Sequence, residues 1–478
     1  MSDVSLETIV SLCKRRGFIY QGSDIYGGLS GTWDYGPLGV SLKRNIMQLW
    51  WKMFVEDRED MLGVDASIIM NQKVWQASGH VDTFTDPLIE CSNCHSRFRA
   101  DKIDVSKCPS CGKADTFGAP HDFNLLFNTY VGPSWGSFEA DLEKHITGNI
   151  EVISNKSGQK IAEVPIKESD TFNSVTVYEK NSRTYLRPET AQGIFTNYKN
   201  VVDSFYPDMP FGVAQQGKAF RNEISPRDFV FRSREFEQME IEYFVHPDKW
   251  EEAFEAWRLA VHEWTKVLGL PEDMVHELEV DEADRAHYSK RTIDFEFDYP
   301  HGRDEILGLA YRTSFDLDNI QRVSGKSMEY RPKDGSTPFV PHVIEPSFGV
   351  ERALMAVLVA AYTEDEVNGE KRVYLKLPTH LAPVKVAVSP LLKNKPELVS
   401  KAREVYAMLK KEFGAVMWDD NGNIGKRYRR QDEIGTPYCV VIDFDTLEGD
   451  TKDTVTIRNR DTTEQERVKL SDLSSRLR

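Results

Sequence analysis

Ala219-Phe220-Arg221-Asn222-Glu223-Ile224-Ser225-Pro226-Arg227-Asp228, continuing as FVFRSREFEQMEIEYF to Phe244, is the stretch on which the reading of this chain turns. Two runs with a period of two flank a polar break at Ser225, Pro226, Arg227 and Asp228, which predicts an antiparallel hairpin. Residues two apart on a strand share a face, so Arg221 and Glu223 project together, as do Arg232, Arg234, Phe236, Gln238 and Glu240. Three arginines, carboxylates and one aromatic ring could grip a polyanion that carries a planar base. The same pattern also describes a solvated, salt-bridged face of an ordinary sheet. The residues of the stretch leave both readings open.

Around it lies a chain of 478 residues with 40% hydrophobic content, enough for two or three globular domains. Met1 to Val10 lacks a basic start followed by an apolar run, so no secretory signal is expected. The apolar stretch from Ala353 to Tyr362 is about half of what a bilayer span requires. A cytoplasmic protein without a membrane partner is the expectation. The net charge of −16 argues against wholesale polyanion binding. It is unevenly spread: residues 371–478 carry 21 Lys and Arg against 16 Asp and Glu, leaving −21 for the first 370. Nucleic-acid contact is therefore expected in patches, above all in the last hundred residues.

Four of the six cysteines are paired as Cys91-x-x-Cys94 and Cys108-x-x-Cys111. Each two-residue gap lets one tight turn present two sulfurs to a tetrahedral ion, so the spacing reads as a structural zinc site. Reduced free thiols or a disulfide are the alternatives. Cys13 and Cys439 sit in apolar contexts and are expected in the core.

Leu6 to Arg16 has helical spacing and stops at Gly17. From Gly39, the spacing of Val40, Ile46, Met47, Trp50, Trp51 and Phe54 predicts a helix whose wide apolar face belongs to the core or to a subunit interface. Residues 134–181 read as a surface excursion with no assigned function. Pro188 restricts Arg187 to an extended conformation, and Glu189 to Gln192 read as a first helical turn. Trp250 to Leu268 carries a plain core stripe. Glu305 and Arg312 fall on a strand-like run, as do Glu345 and Ser347, after which Arg352 enters the first turn of an apolar helix. A cation there opposes the helix dipole unless an anion is near. The last hundred residues alternate strands and helices, which predicts an α/β unit with a mostly parallel sheet. Its basic run, Gly425 to Arg430, is open to reading as a solvated loop.

Phe220-Arg221-Asn222-Glu223, with Arg232 and Phe236 beyond a loop, resembles motif 2 of the class II aminoacyl-tRNA synthetases. Gly349-Val350-Glu351-Arg352 resembles their motif 3, and Asp34 to Gly39 with the following helix resembles the dimer-forming motif 1 region. Arg187 to Phe195, RPETAQGIF, is similar to a hallmark of the glycyl-tRNA synthetase family, and the C-terminal unit resembles the anticodon-binding domain shared by the glycyl, histidyl, prolyl and threonyl enzymes. The resemblance implies an α+β fold. On that resemblance residues 1–370 are expected to form an antiparallel-sheet catalytic core flanked by helices, with a zinc-ribbon-like element at about 90–113, and residues 371–478 an α/β anticodon-binding domain.

What the family does is then expected here: glycine and ATP give an adenylate, and glycine passes to tRNA, on a homodimer. Arg221 and Arg352 are the implied catalytic pair. The implied ATP contacts are Arg221, Asn222, Glu223, Phe231, Arg232, Ser233, Arg234, Glu235, Phe236, Glu305, Ile306, Gly349, Val350, Glu351 and Arg352, with Glu305 holding Mg2+. The implied amino-acid contacts are Arg99, Glu189, Phe236, Glu237, Gln238, Met239, Glu240, Arg312, Glu345, Pro346, Ser347, Phe348 and Gly349. Cys91, Cys94, Cys108 and Cys111 would hold Zn2+. Two positions depart from the family pattern: Ser314, where an aspartate is usual, and Arg303, where a bulky aromatic is common. The other readings are a sibling synthetase for histidine, proline or threonine, a non-catalytic synthetase-like accessory or nucleic-acid-binding protein, and a zinc-ribbon regulator.

Overall fold

Strand alternation sets the architecture, because one strand shows two different faces to two different neighbours. In this computed structural model, residues 4–131, 149–153, 160–165, 183–286, 288–367 and 369–478 are described. The main sheet consists of β1 (Met61–Gly63), β2 (Phe211–Phe220), β3 (Glu235–Val245), β4 (Val275–Glu279), β5 (Arg291–Tyr299), β6 (Gly302–Thr313) and β7 (His342–Gly349). Their order across the sheet is β4-β5-β6-β7-β3-β2-β1. Every pairing is antiparallel except that of β1 with β2.

Met239, Ile241 and Tyr243 on β3 point to one face, where they join Trp50, Phe54, Trp257, Trp264 and Leu354 in the largest apolar core. Helices Pro37–Trp51, Trp250–Val267 and Val350–Ala361 cover that face. Each wholly buried large side chain there contributes on the order of 1.5–3 kcal/mol. Phe236, Gln238, Glu240, Glu242 and Phe244 point to the other face. At its far end Phe244 packs with Phe195, Tyr198 and Phe211 beneath helix Ala191–Phe205. The polar middle remains open as a cavity. Antiparallel sheet and covering helices make the domain α+β, as expected.

The hairpin differs from its sequence pattern in one respect. The ladder ends at Phe220↔Glu235, and residues 221–234 form a loop. The reason is three consecutive apolar residues, Phe229, Val230 and Phe231, all buried in the main core. Asp228 and Phe229 take φ of 57° and 60° to put them there. Burial of adjacent residues breaks the alternation, so Arg232 and Arg234 do not share the face of Phe236.

Helix Leu6–Arg16 is capped by Ser5 and closed by Gly17 at φ 77°, where an L side chain would be strained. The next helix starts at Pro37, two residues ahead of Gly39, with proline in its favoured first position. Glu189 precedes helix Ala191–Phe205 rather than opening it, because Thr190 is the N-cap. The 134–181 excursion lies outside the described residues apart from a hairpin of Asn149–Ile153 with Lys160–Pro165.

A hairpin of Tyr362–Val367 with Glu370–Leu375 spans the expected boundary at 370. The C-terminal sheet beyond it has five strands. It is mixed rather than mostly parallel: Val386–Pro390 pairs in parallel with Val416–Trp418 and Tyr438–Ile442, whereas Thr454–Asn459 and Gln465–Lys469 add antiparallel edges. Short reversals after Ile442 leave no room for a crossover helix, so the chain turns back as hairpins. The basic run is not a loop but part of helix Ile424–Glu433, capped by Asn423.

Candidate active site

A cavity of ≈ 480 Å³ lies over the polar middle of β3. One end is acidic and nearly closed. Glu240 on β3 accepts hydrogen bonds from the Thr190 N–H at 2.9 Å, the Thr190 hydroxyl, the Ser347 hydroxyl at 2.8 Å and the Gln238 amide at 3.0 Å. Glu189 stands 3.2 Å from His80 Nε2. Behind this wall Arg312 on β6 donates from Nε and Nη2 to Asp316 at 2.8 and 3.0 Å and from Nη1 to Glu345 at 2.6 Å. Its guanidinium also lies 3.7 Å from the Tyr288 ring centroid.

The carboxyls of this end are pulled apart electrically. Burial pushes Glu189 up, but His80, Arg312 and Arg221 outweigh it and hold Glu189 down at about 2. Burial, against the attraction of Arg312, pushes Glu345 up to about 8. Burial and the nearby Glu189 charge also raise Glu240. A site that separates like groups in this way has acceptors ready for a cation.

The other end is built from the 221–234 loop, β5, β6 and the start of helix Val350–Ala361. The Arg221 guanidinium lies 5.3 Å from the Phe236 ring and 5.5 Å from that of Phe84, and its Nε donates to the Pro188 carbonyl. Arg232 reaches Glu223 at 3.4 Å. Arg352, in the first helical turn, pairs with Glu305 at 2.8 Å and sits 4.6 Å over Phe231. Glu305 is thus the anion that offsets the dipole penalty. Arg99, largely covered, pairs with Asp86 at 2.9 Å and Asp101 at 2.7 Å, on the Glu223 side of the cavity. Glu351 accepts from the Glu237 N–H and the Tyr35 hydroxyl, and burial lifts it to about 7.

Of the expected residues, the cavity gathers Arg99, Glu189, Arg221, Glu223, Phe231, Arg232, Ser233, Phe236, Gln238, Glu240, Glu305, Glu345, Ser347, Gly349, Glu351 and Arg352. Others are placed elsewhere. Glu237, Met239, Pro346 and Phe348 point to the opposite face of the sheet, where Phe348 meets Trp50, Phe54 and Trp264 and Glu237 pairs with Lys43. Ile306 and Val350 are in the core. Arg234 is spent on the carbonyls of Ser30 and Glu223, Glu235 pairs with Lys218, and the Asn222 N–H donates to Leu125. Arg312 lies one layer behind the wall.

Sequence reasoning did not single out His80, Phe84, Asp86, Glu242, Tyr288 or Asp294. Asp294 was within reach: Ile293, Phe295 and Phe297 alternate as core residues, which puts Asp294 on the cavity face. His80 opens a four-residue helix, His80–Thr83, and Phe84 closes it, a length too short to carry a periodic signal. Burial and the neighbouring Glu305 raise Asp294 to about 7. A Cβ added at Gly308 would lie 3.7 Å from Glu305 Oε1 and 3.8 Å from Asp294 Oδ1, so both carboxyls flank one spot. Two carboxyls at the arginine-lined end are a donor set that suits a magnesium ion, which takes one or two carboxylates with other oxygen ligands.

The four paired cysteines fit zinc on geometry. Their sulfurs all lie within 4.8 Å of one another, with Cys91–Cys111 at 3.8 Å and Cys94–Cys108 at 3.7 Å. Zinc–sulfur bonds of about 2.3 Å in a tetrahedron require sulfurs about 3.8 Å apart. A disulfide would need about 2.05 Å. Each knuckle closes with a left-handed residue, His95 at φ 56° and Gly112 at φ 73°. The element carries strand Arg97–Arg99, paired with Thr85–Glu90, and so places Arg99 at the cavity.

Residues 174–362 match the family model described as "tRNA synthetase class II core domain (G, H, P, S and T)", and residues 385–478 match "Anticodon binding domain". The sheet and cavity are therefore those of a class II synthetase core. Among curated relatives, the glycine–tRNA ligase of Deinococcus radiodurans is 45% identical, covering 99% of this chain and 98% of the relative. That of Thermobifida fusca is 43% identical over 99% and 97%, and that of Borreliella burgdorferi strain B31 is 43% identical over 99% and 96%. The chain belongs to the glycine–tRNA ligase family.

Proposed function

We propose that this protein activates glycine with ATP and transfers it to the 3′ end of its tRNA. The observation that carries the reading is the two-ended cavity: an acidic, nearly closed pocket joined to a cationic, aromatic one. The substrate ammonium would meet Glu189, Glu240, Glu345 and the Ser347 hydroxyl, with Arg312 balancing charge from behind. Glycine offers no side chain to hold, so selection comes from this ammonium site and from lack of room. One intruding methyl in a rigid pocket costs about 1–3 kcal/mol.

At the other end, Arg221 would hold the α-phosphate, Glu223 the adenine amino group and Arg232 the γ-phosphate. Phe236 and Arg352 would cover the two faces of the base, a use that suits a planar guanidinium. Glu305, with Asp294 beside it, would hold magnesium, which supplies charge neutralisation to the phosphates. The glycine carboxylate, already ionised at neutral pH, attacks the α-phosphorus. A P–O bond forms and the bond to pyrophosphate breaks, with no proton to remove. Orientation and fixed positive charge therefore carry the step.

Zinc in the Cys91, Cys94, Cys108 and Cys111 cluster would be structural. Supporting a homodimer, Ile25, Tyr26 and Leu29 are 87%, 87% and 57% exposed in the loop just ahead of helix Pro37–Trp51. Among the described residues no helix is long and apolar enough to cross a membrane. The test is amino-acid-dependent exchange of pyrophosphate into ATP. Glycine should support it, and histidine, proline, threonine and alanine should not. No exchange with any of them sinks the reading, and a faster rate with alanine sinks the pocket assignment. Sedimentation at low concentration should give a species near twice 54.8 kDa.

A further inference from the structure

Glu242 lies two residues beyond Glu240 on the same face of β3 and is 0% exposed. Neither of its carboxyl oxygens has a hydrogen-bond partner among the described residues. Every other carboxyl of this cluster is served. Asp316 takes two Arg312 donors and the Gln192 amide, Glu345 takes the third Arg312 donor, Glu189 has His80, and Glu240 has Thr190, Ser347 and Gln238. Five carboxyls thus converge on one guanidinium, whose three observed hydrogen bonds go to Asp316 and Glu345 and none to Glu242.

An ionised carboxylate stripped of water and of every donor is far less stable than its protonated form. Glu242 therefore stays neutral, and it bears on the cluster through the neighbour it faces. That neighbour is Glu345: the β3–β7 register runs through Glu240↔Ser347 and Tyr243↔Ile344, so Glu242 and Glu345 stand opposite each other on the cavity face. The groups facing the pair are Glu240 on β3, Arg312 on β6, Asp316 on helix Phe315–Ser324, Arg187 and Glu189 ahead of helix Ala191–Phe205, His80 and Tyr288. Their sum is acidic, and burial with like charge raises both Glu242 and Glu345.

We propose that Glu242 and Glu345 are both protonated in the empty pocket, and that the arriving α-ammonium displaces the Glu345 proton to solvent while Glu242 keeps its own. Glu242 is the positioning residue whose neutral carboxyl lets Glu345 ionise without a second buried charge opposite it, and Glu345 is the group that then faces the substrate cation. The charge balances: the ammonium brings one positive charge in, and one proton leaves for the buffer. The inference rests on the reading that an amino acid occupies this end.

The test is calorimetric titration of glycine into the full-length, zinc-loaded protein saturated with a non-hydrolysable ATP analogue, at pH 7, in buffers of different ionisation enthalpy. With Glu345 at about 8, about 0.9 proton should be released per glycine. Release should fall below about 0.1 at pH 9. In Glu345→Gln that proton is absent, and release at pH 7 should fall below about 0.1, whereas Glu242→Gln, neutral like the acid it replaces, should keep it. Release that persists in Glu345→Gln, or that is lost in Glu242→Gln, overturns the proposal. So does saturable glycine binding to the wild type with no proton released. Absence of any saturable glycine heat instead overturns the amino-acid reading. If Glu345→Gln does not fold, the wild-type pH profile decides. The apparent KM for glycine should fall about tenfold per pH unit from 6 to 8 and level off above, and a flat profile overturns the proposal.

Discussion

Arg312 in the catalytic core and Arg427 in the C-terminal domain are 1% and 2% exposed, yet their surroundings act in opposite directions. Burial disfavours the charge of both. At Arg312 the carboxylates of Asp316 and Glu345 outweigh burial and raise its pKa well above the usual range. At Arg427 the partners are the carbonyls of Pro390, Asp420 and Gly422, burial prevails, and the pKa falls. A guanidinium caged by backbone dipoles ties segments together and answers to nothing else. One caged by carboxylates belongs to a charge network that a ligand can shift. That difference separates a structural arginine from one behind a binding site.

Breaking the pairs should show it most strongly at Arg312. Arg312→Met leaves the buried Asp316 carboxylate uncompensated and Glu345 without its donor, and urea denaturation should show a loss of roughly 3–5 kcal/mol. Glycine-dependent exchange should fall with it. Arg427→Met orphans carbonyls rather than charges. The expected loss is about 1–3 kcal/mol, confined to the C-terminal domain, with exchange retained. Equal losses in both variants would dissolve the contrast.

The pH dependence of stability sharpens it. Glu345, raised to about 8, binds its proton more tightly folded than unfolded, so its contribution is full at low pH and lost as pH rises from about 4.5 to 8. Glu189, lowered to about 2, contributes above about 4.5 and is lost as pH falls toward 2. Each unit of difference is worth about 1.4 kcal/mol. Glu345→Gln should therefore flatten the fall of the melting temperature between pH 5 and 8, whereas no variant at Arg427 should alter it.

Arg99 is the intermediate case, its side chain 22% exposed and set by the cysteine element. Chelation of zinc should raise the KM for glycine about tenfold while leaving the main sheet folded, as circular dichroism would show. An unchanged KM would detach the element from the site. The smallest effect belongs to the exposed pair Lys218–Glu235, at 2.5 Å. Lys218→Ala should cost less than about 1 kcal/mol in the same denaturation assay.

How much of this was legible in the sequence follows from what each feature depends on. The polar face of β3 was readable because alternation is a property of the strand itself, and the cysteine spacing because a knuckle is local. Alternation also misplaced residues when it was extended too far. Glu237, Met239, Pro346 and Phe348 neighbour site residues in sequence, but a strand sends neighbours to opposite faces. Arg232 and Arg234 left the strand because Phe229 to Phe231 buried themselves as a block. His80 and Glu242 escaped notice since their roles depend on what other segments bring to them. His80 meets Glu189, from more than a hundred residues away, and Glu242 matters because no donor reaches it. The mixed C-terminal sheet was missed for a related reason: strand direction is set by connection length, which the alternating pattern does not encode.

The two-faced strand has a genetic corollary. Because β3 serves the core with odd positions and the cavity with even ones, inserting or deleting one codon between Phe236 and Phe244 would exchange the two sets at a stroke. Glu240 would be driven among the tryptophans and Met239 would line the cavity. Point changes along β3 are open to graded selection. Its reading length is not, and a lineage of such proteins can vary the letters of this segment far more freely than their number.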